Sequence, residues 1–162
     1  MTDNQKKTTL KWRSRYKRAQ LAHSYTAISY GRYHLFLGAL LIVLTTASCV
    51  LIFAENLQPV WLSPVIGISA ALFAYLQTFL QLSEKADAQR GVARQYGALK
   101  KKLEYIIDFE HSSDNLSKMV NAIRIKENEI ATGAPHALSH CWEKAKVETQ
   151  AENDSLSIRN RK

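Results

Sequence analysis

No charged side chain occurs between Leu35 and Ala54, and none occurs between Val60 and Leu82. Stretches that are apolar on every side exceed what an amphipathic helix of a soluble domain needs. Helices of 20 residues rise about 30 Å, the thickness of a bilayer's hydrocarbon core. The chain is therefore read as crossing a membrane twice, at about residues 35–54 and 60–82. A cleaved leader is a poor alternative, because its apolar core would be shorter and nearer the start, and a second span would not follow at once.

Proline is also scarce, and none interrupts the chain before Pro59. Cysteine is limited to Cys49, inside the first stretch, and Cys141. In a chain expected to face the reducing cytosol, no disulfide is expected between them. The signatures of common chemistries are missing as well: there is no G-x-x-x-x-G-K-[ST], G-x-G-x-x-G, G-x-S-x-G or H-E-x-x-H. Each of these positions a phosphate, a nucleophile or a zinc ion by a fixed spacing, so neither an enzyme nor a cofactor is expected. His136-x-x-x-His140-Cys141 can share a helix face, but zinc wants a further ligand pair. No metal site is assigned to it. His23, His34 and His111 are isolated and read as packing or headgroup-contact residues.

What the chain does have is positive charge in the right places. The net charge is +8, with 22 Lys and Arg against 14 Asp and Glu. Lys6, Lys7, Lys11, Arg13, Arg15, Lys17, Arg18 and Arg32 precede the first apolar stretch, whereas Glu55-Asn56-Leu57-Gln58-Pro59 between the stretches has no basic residue. The remaining Lys and Arg follow Leu82. The positive-inside bias then puts both termini in the cytoplasm. Acidic residues are interleaved with the basic ones after Leu82, which argues against nucleic acid as a partner. Anionic lipid headgroups suit the basic residues that flank the spans.

Residues 1–9 are polar and read as a flexible start. From Leu10, Trp12, Tyr16, Ala19, His23, Thr26, Tyr30, Tyr33 and Leu37 alternate four and three apart, a heptad seam that runs into the first span. After the second span, Val92, Tyr96, Leu99, Leu103 and Ile106 repeat the pattern. Gly91 and Gly97 weaken that helix, so it needs a partner, and the first seam is the natural one. Tyr16, His23, Tyr30, Tyr96, Leu99 and Leu103 are the candidate cytosolic contacts. His111-Ser112-Ser113-Asp114 reads as a break and cap before a helix carrying Leu116, Val120, Ile123 and Ile130, which ends at Gly133-Ala134-Pro135. A short helix from Leu138 to about Glu148, anchored by Trp142, follows, and residues 149–162 read as a disordered tail. The expected fold is all-α. It consists of a two-helix transmembrane hairpin extended into a coiled-coil-like bundle with additional C-terminal helices, one unit over residues 10–148.

Small and weakly polar residues mark the spans: Gly38, Thr45 and Ser48 in the first, and Gly67, Ala71, Ala74, Gln77, Thr78 and Gln81 in the second. Small residues let helices approach closely in lipid, and hydroxyls or amides can bond across. Packing within the hairpin or between copies is one reading. The other is a weakly polar pore lining with Gln77 and Gln81 at its inner mouth, which requires a homo-oligomer because two helices cannot enclose a pore.

Several residues together resemble one known family. Trp12, Arg15-Tyr16, Ala19, His23, Tyr30 and His34 lead into a span that begins Leu37-Gly38. The second span ends Thr78-Phe79-Leu80 and continues through Arg90, Tyr96, Leu99 and Leu103-Glu104, and a later helix ends near Ala134-Pro135. Across residues 10–145 this pattern is similar to the SLATT family, bacterial two-transmembrane-helix proteins of conflict systems. The resemblance implies an inner-membrane effector that oligomerises and forms a pore or disrupts the membrane in defence by abortive infection. It also implies a nucleotide synthase or nucleotide-sensing protein as partner, and it supplies no catalytic residues. A non-conducting, membrane-anchored helical scaffold that recruits a cytosolic partner is the alternative.

Overall fold

A computed structural model describes residues 3–53, 59, 61–109 and 113–159. Its described residues form five helices and no strand: α1 (Asp3–Phe53), α2 (Leu62–Leu80), α3 (Leu82–Phe109), α4 (Ser113–Gly133) and α5 (Ser139–Arg159). The expected break at His111-Ser112 lies outside the described residues. By its internal packing the chain divides into two compact units: Met1–Ala27 with Asp87–Lys162, and Ile28–Ala86. We refer to them as the polar and the apolar unit.

In the polar unit, the first half of α1 packs against α3, α4 and α5. Tyr16, Val92, Leu99, Leu103, Ile106, Leu116, Ile123 and Ile130 form its buried core, with Trp12, Tyr96, Met119 and Val120 against it. The four-three spacing read from α3 and α4 is thus the spacing of this core. Gly97 sits where α3 passes Gln20 of α1, and a Cβ there would come within 3.0 Å of the Gln20 amide nitrogen. Around Gly91 there is open space, so only Gly97 trades helix propensity for a close approach.

Two boundaries differ from expectation. Helix α1 starts at Asp3, well before Leu10, and Thr9 is buried. Helix α5 continues past Glu148 to Arg159. Its polar residues find partners on α1: the Thr149 hydroxyl accepts from Arg18, Glu152 pairs with Lys17, and Asn153 donates to Ser14. A polar composition suggests disorder only when nothing meets the polar groups. Trp142 is not the anchor of α5, being 39% exposed, while Cys141 and Ala145 are fully covered. Small residues allow α5 to lie close against α1, and a tryptophan would hold it off.

In the apolar unit, the second half of α1 runs antiparallel to α2. Gly38 faces Gln77 and Gly67 faces Ser48. In each pair 3.8 Å separates the facing side-chain atom from the place where a glycine Cβ would stand. Both helices are long and apolar enough to cross a membrane. Outward positions carry large apolar side chains, Phe53 at 92% exposure and Phe79 at 83%. The second apolar stretch does not flow straight into α3, because Gln81 adopts a left-handed conformation, φ 46° and ψ 42°. A straight helix would carry Gln81 and Glu84 onto the face that Ala70 and Gln77 begin. The single left-handed residue shifts the phase so that Leu82 and Ala86 are covered instead.

Leu103→Ala should lower the unfolding free energy by about 3 kcal/mol, since it empties a fully covered core position. Gln81→Val should cost about 1–2 kcal/mol, because a β-branched side chain resists the left-handed region, whereas Gln81→Gly should not destabilise. Denaturant unfolding in detergent, followed by circular dichroism, measures both.

Candidate functional site

The candidate residues of the two spans separate into two sets. Gly38, Ser48, Gly67, Ala74 and Gln77 are half-buried, turned toward the facing helix of the apolar unit. Thr45, Ala71, Thr78 and Gln81 are exposed. Gly67-x-x-x-Ala71 is therefore split, with Gly67 inside and Ala71 outside. The threonine hydroxyls bond within their own helix, Thr45 to the carbonyls of Leu41 and Ile42 and Thr78 to that of Ala74. Neither needs a partner across the interface. Gln77 does: its amide oxygen is buried and has no hydrogen bond among the described residues. An unpaired buried acceptor costs about 1–3 kcal/mol.

The candidate seam residues come together in the polar unit, apart from Tyr30. Tyr16 and Tyr96 rings lie 6.2 Å apart, and His23 stacks on Tyr96 at 5.8 Å with 12° between planes. Leu99 and Leu103 are buried beneath them. Tyr30 belongs to the apolar unit and is half-exposed. Beyond Thr26 the α1 seam fades, with Tyr33 at 58% exposure.

Two residues that periodicity alone does not single out organise this cluster. Gln89 of α3 is buried, its amide nitrogen donating to the His136 carbonyl at 2.9 Å and its amide oxygen lying 2.5 Å from His23 Nδ1. Only an NH₂ can donate to a carbonyl, so the oxygen must face the histidine. His23 Nδ1 therefore carries a proton directed at Gln89. Glu127 of α4 is the second: it accepts from the Tyr16 hydroxyl at 2.7 Å and pairs with Arg15 at 2.7 Å. A polar residue on the inner side of an amphipathic helix was the available signal for both, and only the fold says what it meets. Thr26 adds a third link, donating to the Ala22 carbonyl and accepting from the Leu138 amide, which fixes the connection between α4 and α5.

The electrostatics follow from these contacts. Burial, then the hydrogen bond to Glu127, pushes the Tyr16 phenol far above its ordinary range. Tyr96 is raised by burial and then by the Glu127 charge. At the exposed edge, the bond to Glu148 raises Tyr25, and the bond to Lys17 holds Glu152 below the usual carboxylate range. His136 and His140 are exposed while Cys141 is buried, so these three do not converge. Among the described residues no three His, Cys, Asp or Glu are grouped to hold a metal ion. The arrangement can hold hydrogen-bonding or aromatic groups beside His23 and Tyr96.

Comparison of the chain with family models, curated proteins and solved structures finds no match.

Tyr16 carries a pH dependence of defined sign. Its pKa is higher in the folded chain than the ordinary 10.0, so its contribution is complete below about pH 10 and is lost as pH rises further. Wild-type thermal stability should fall between about pH 10 and about pH 11. Tyr16→Phe should lower stability at neutral pH by about 1–2 kcal/mol and flatten that alkaline fall, leaving the share of Tyr96. Melting curves across the range check both effects.

Proposed function

We propose that this chain is a bacterial inner-membrane effector of a nucleotide-signalling defence system, similar to the SLATT proteins, whose hairpins assemble as a homo-oligomer and breach the membrane. In this reading α1 and α2 span the bilayer, both termini lie in the cytoplasm, and the polar unit is a cytosolic helical bundle. The bundle receives the signal from a nucleotide synthase or a nucleotide-sensing protein. The observation that carries the proposal is the unpaired Gln77 amide oxygen. In lipid an orphaned acceptor has no water to turn to, so a single closed hairpin leaves its most polar intramembrane group unsatisfied. An assembly that turns Gln77 toward donors of neighbouring copies, or toward water in a pore, removes that cost. A signal then has only a small difference in free energy to tip.

The second reading is a non-conducting anchor that recruits a cytosolic partner through its bundle. It draws on Gly38, Ser48 and Gly67, which are used up in contacts within one hairpin.

Overproduction in cells loaded with a potential-sensitive dye separates the two. The effector should depolarise the membrane, and Gln77→Leu, which removes the orphan and favours the closed hairpin, should cut depolarisation about tenfold at equal protein level. An unchanged potential with either chain rejects the effector and leaves the anchor.

A further inference from the structure

We infer that the polar unit contains a binding site for a small organic cation, an amine or quaternary ammonium borne on a flat or apolar body. The site is a cavity of about 540 Å³ where α1, α3 and α5 meet the connection after α4. That volume falls within the range of small-molecule sites. It lies wholly within one unit, and the inference does not depend on how the hairpins assemble.

Three observations give the ligand its chemistry. The first is His23, 6% exposed and lining the cavity. The Gln89 carboxamide occupies its Nδ1, which leaves Nε2 as the ring nitrogen still available to a ligand. The orientation is imposed from outside the cavity, because Gln89 is itself held by the His136 carbonyl. The second is the pair of aromatic walls, Tyr96 and Trp142. Aromatic faces attract cations, and apolar bodies stack on them. Tyr96 is held in place by ring contacts with His23 and Tyr16.

The third is charge. Glu143 is a carboxylate of the lining, and no described Lys or Arg lines the cavity. The basic partner of Glu143 is Lys146, at a loose 3.6 Å on the exposed side. Ser139 adds a hydroxyl and His136 a second, exposed imidazole, and the remaining wall is the apolar chain around Ala134 and Pro135. A phosphate or carboxylate ligand would meet the like charge of Glu143, and no Lys or Arg of the described lining offsets it. An ammonium would meet the Glu143 carboxylate and the face of Tyr96 or Trp142 beside the His23 ring. Glu143 supplies attraction, and the buried imidazole supplies direction.

Phenethylamine and 3-phenylpropionate have the same ring and spacer and opposite charge, so they form the matched probes. Titrated calorimetrically into the full chain in detergent micelles, the amine should bind about tenfold or more tightly than the carboxylate. Glu143→Gln, a substitution at an exposed carboxylate that leaves the fold intact, should weaken the amine about two- to fivefold and narrow the gap between probes. His23→Phe should weaken it as well. Micelle partitioning of the amine is common to wild type and variants and cancels in the comparison. Failure of the amine to bind, equal or tighter binding of the carboxylate, or unchanged amine affinity in Glu143→Gln would overturn the assignment.

Discussion

A buried carboxamide must use both its ends or cost the fold about 1–3 kcal/mol, and Gln89 uses them on two segments beyond its own helix. Its oxygen reaches His23 of α1 and its nitrogen reaches the chain between α4 and α5. Much of the polar unit follows from that choice. The connection after Gly133 is held where Thr26 can receive the Leu138 amide, and α5 then starts in a position to run back along α1. The Nδ1 proton of His23 is directed by the same contact, and the His23 ring in turn stacks on Tyr96. Apolar burial in the core supplies the bulk of the stabilisation, but it is indifferent to orientation. The amide sets direction and register.

Polar contacts also account for what periodicity misses. The heptad spacing of Val92, Tyr96, Leu99, Leu103 and Ile106 is legible because apolar side chains must share one face to be covered, and every one of them packs on the core or in it. Helix α5 gives no such signal. Its covered positions are Cys141, Ala145 and Thr149, small residues that make no large apolar stripe, and its partners on α1 are more than a hundred residues away in sequence. The N-terminal turns of α1 were illegible for the same reason. The two apolar stretches, by contrast, were readable from length and the absence of charge alone.

The small residues of the spans were legible as a class but not by direction. Spacing shows that Gly38, Ser48, Gly67 and Gln77 are unusual, and only the antiparallel pairing shows that they meet one another. Thr45 and Thr78 differ because a hydroxyl can return to a carbonyl of its own helix, as serine and threonine do in apolar surroundings. A carboxamide has no such retreat. This explains why Gln77 stands apart from the hydroxyl groups of the apolar unit. It also explains why the exposed set, Thr45, Ala71 and Thr78, has no polar demand for a neighbour.

The left-handed turn at Gln81 fixes where water must begin. Interrupting a helix leaves carbonyls of the preceding turn without their usual amide partners, a condition hydrocarbon does not tolerate. If α2 crosses a bilayer, the waterline on that side can lie no further out than the carbonyls just before Gln81. The 19 residues of α2, at 1.5 Å each, then measure about 28 Å, close to one hydrocarbon thickness. A backbone conformation that reads as a local irregularity thereby acts as a depth gauge.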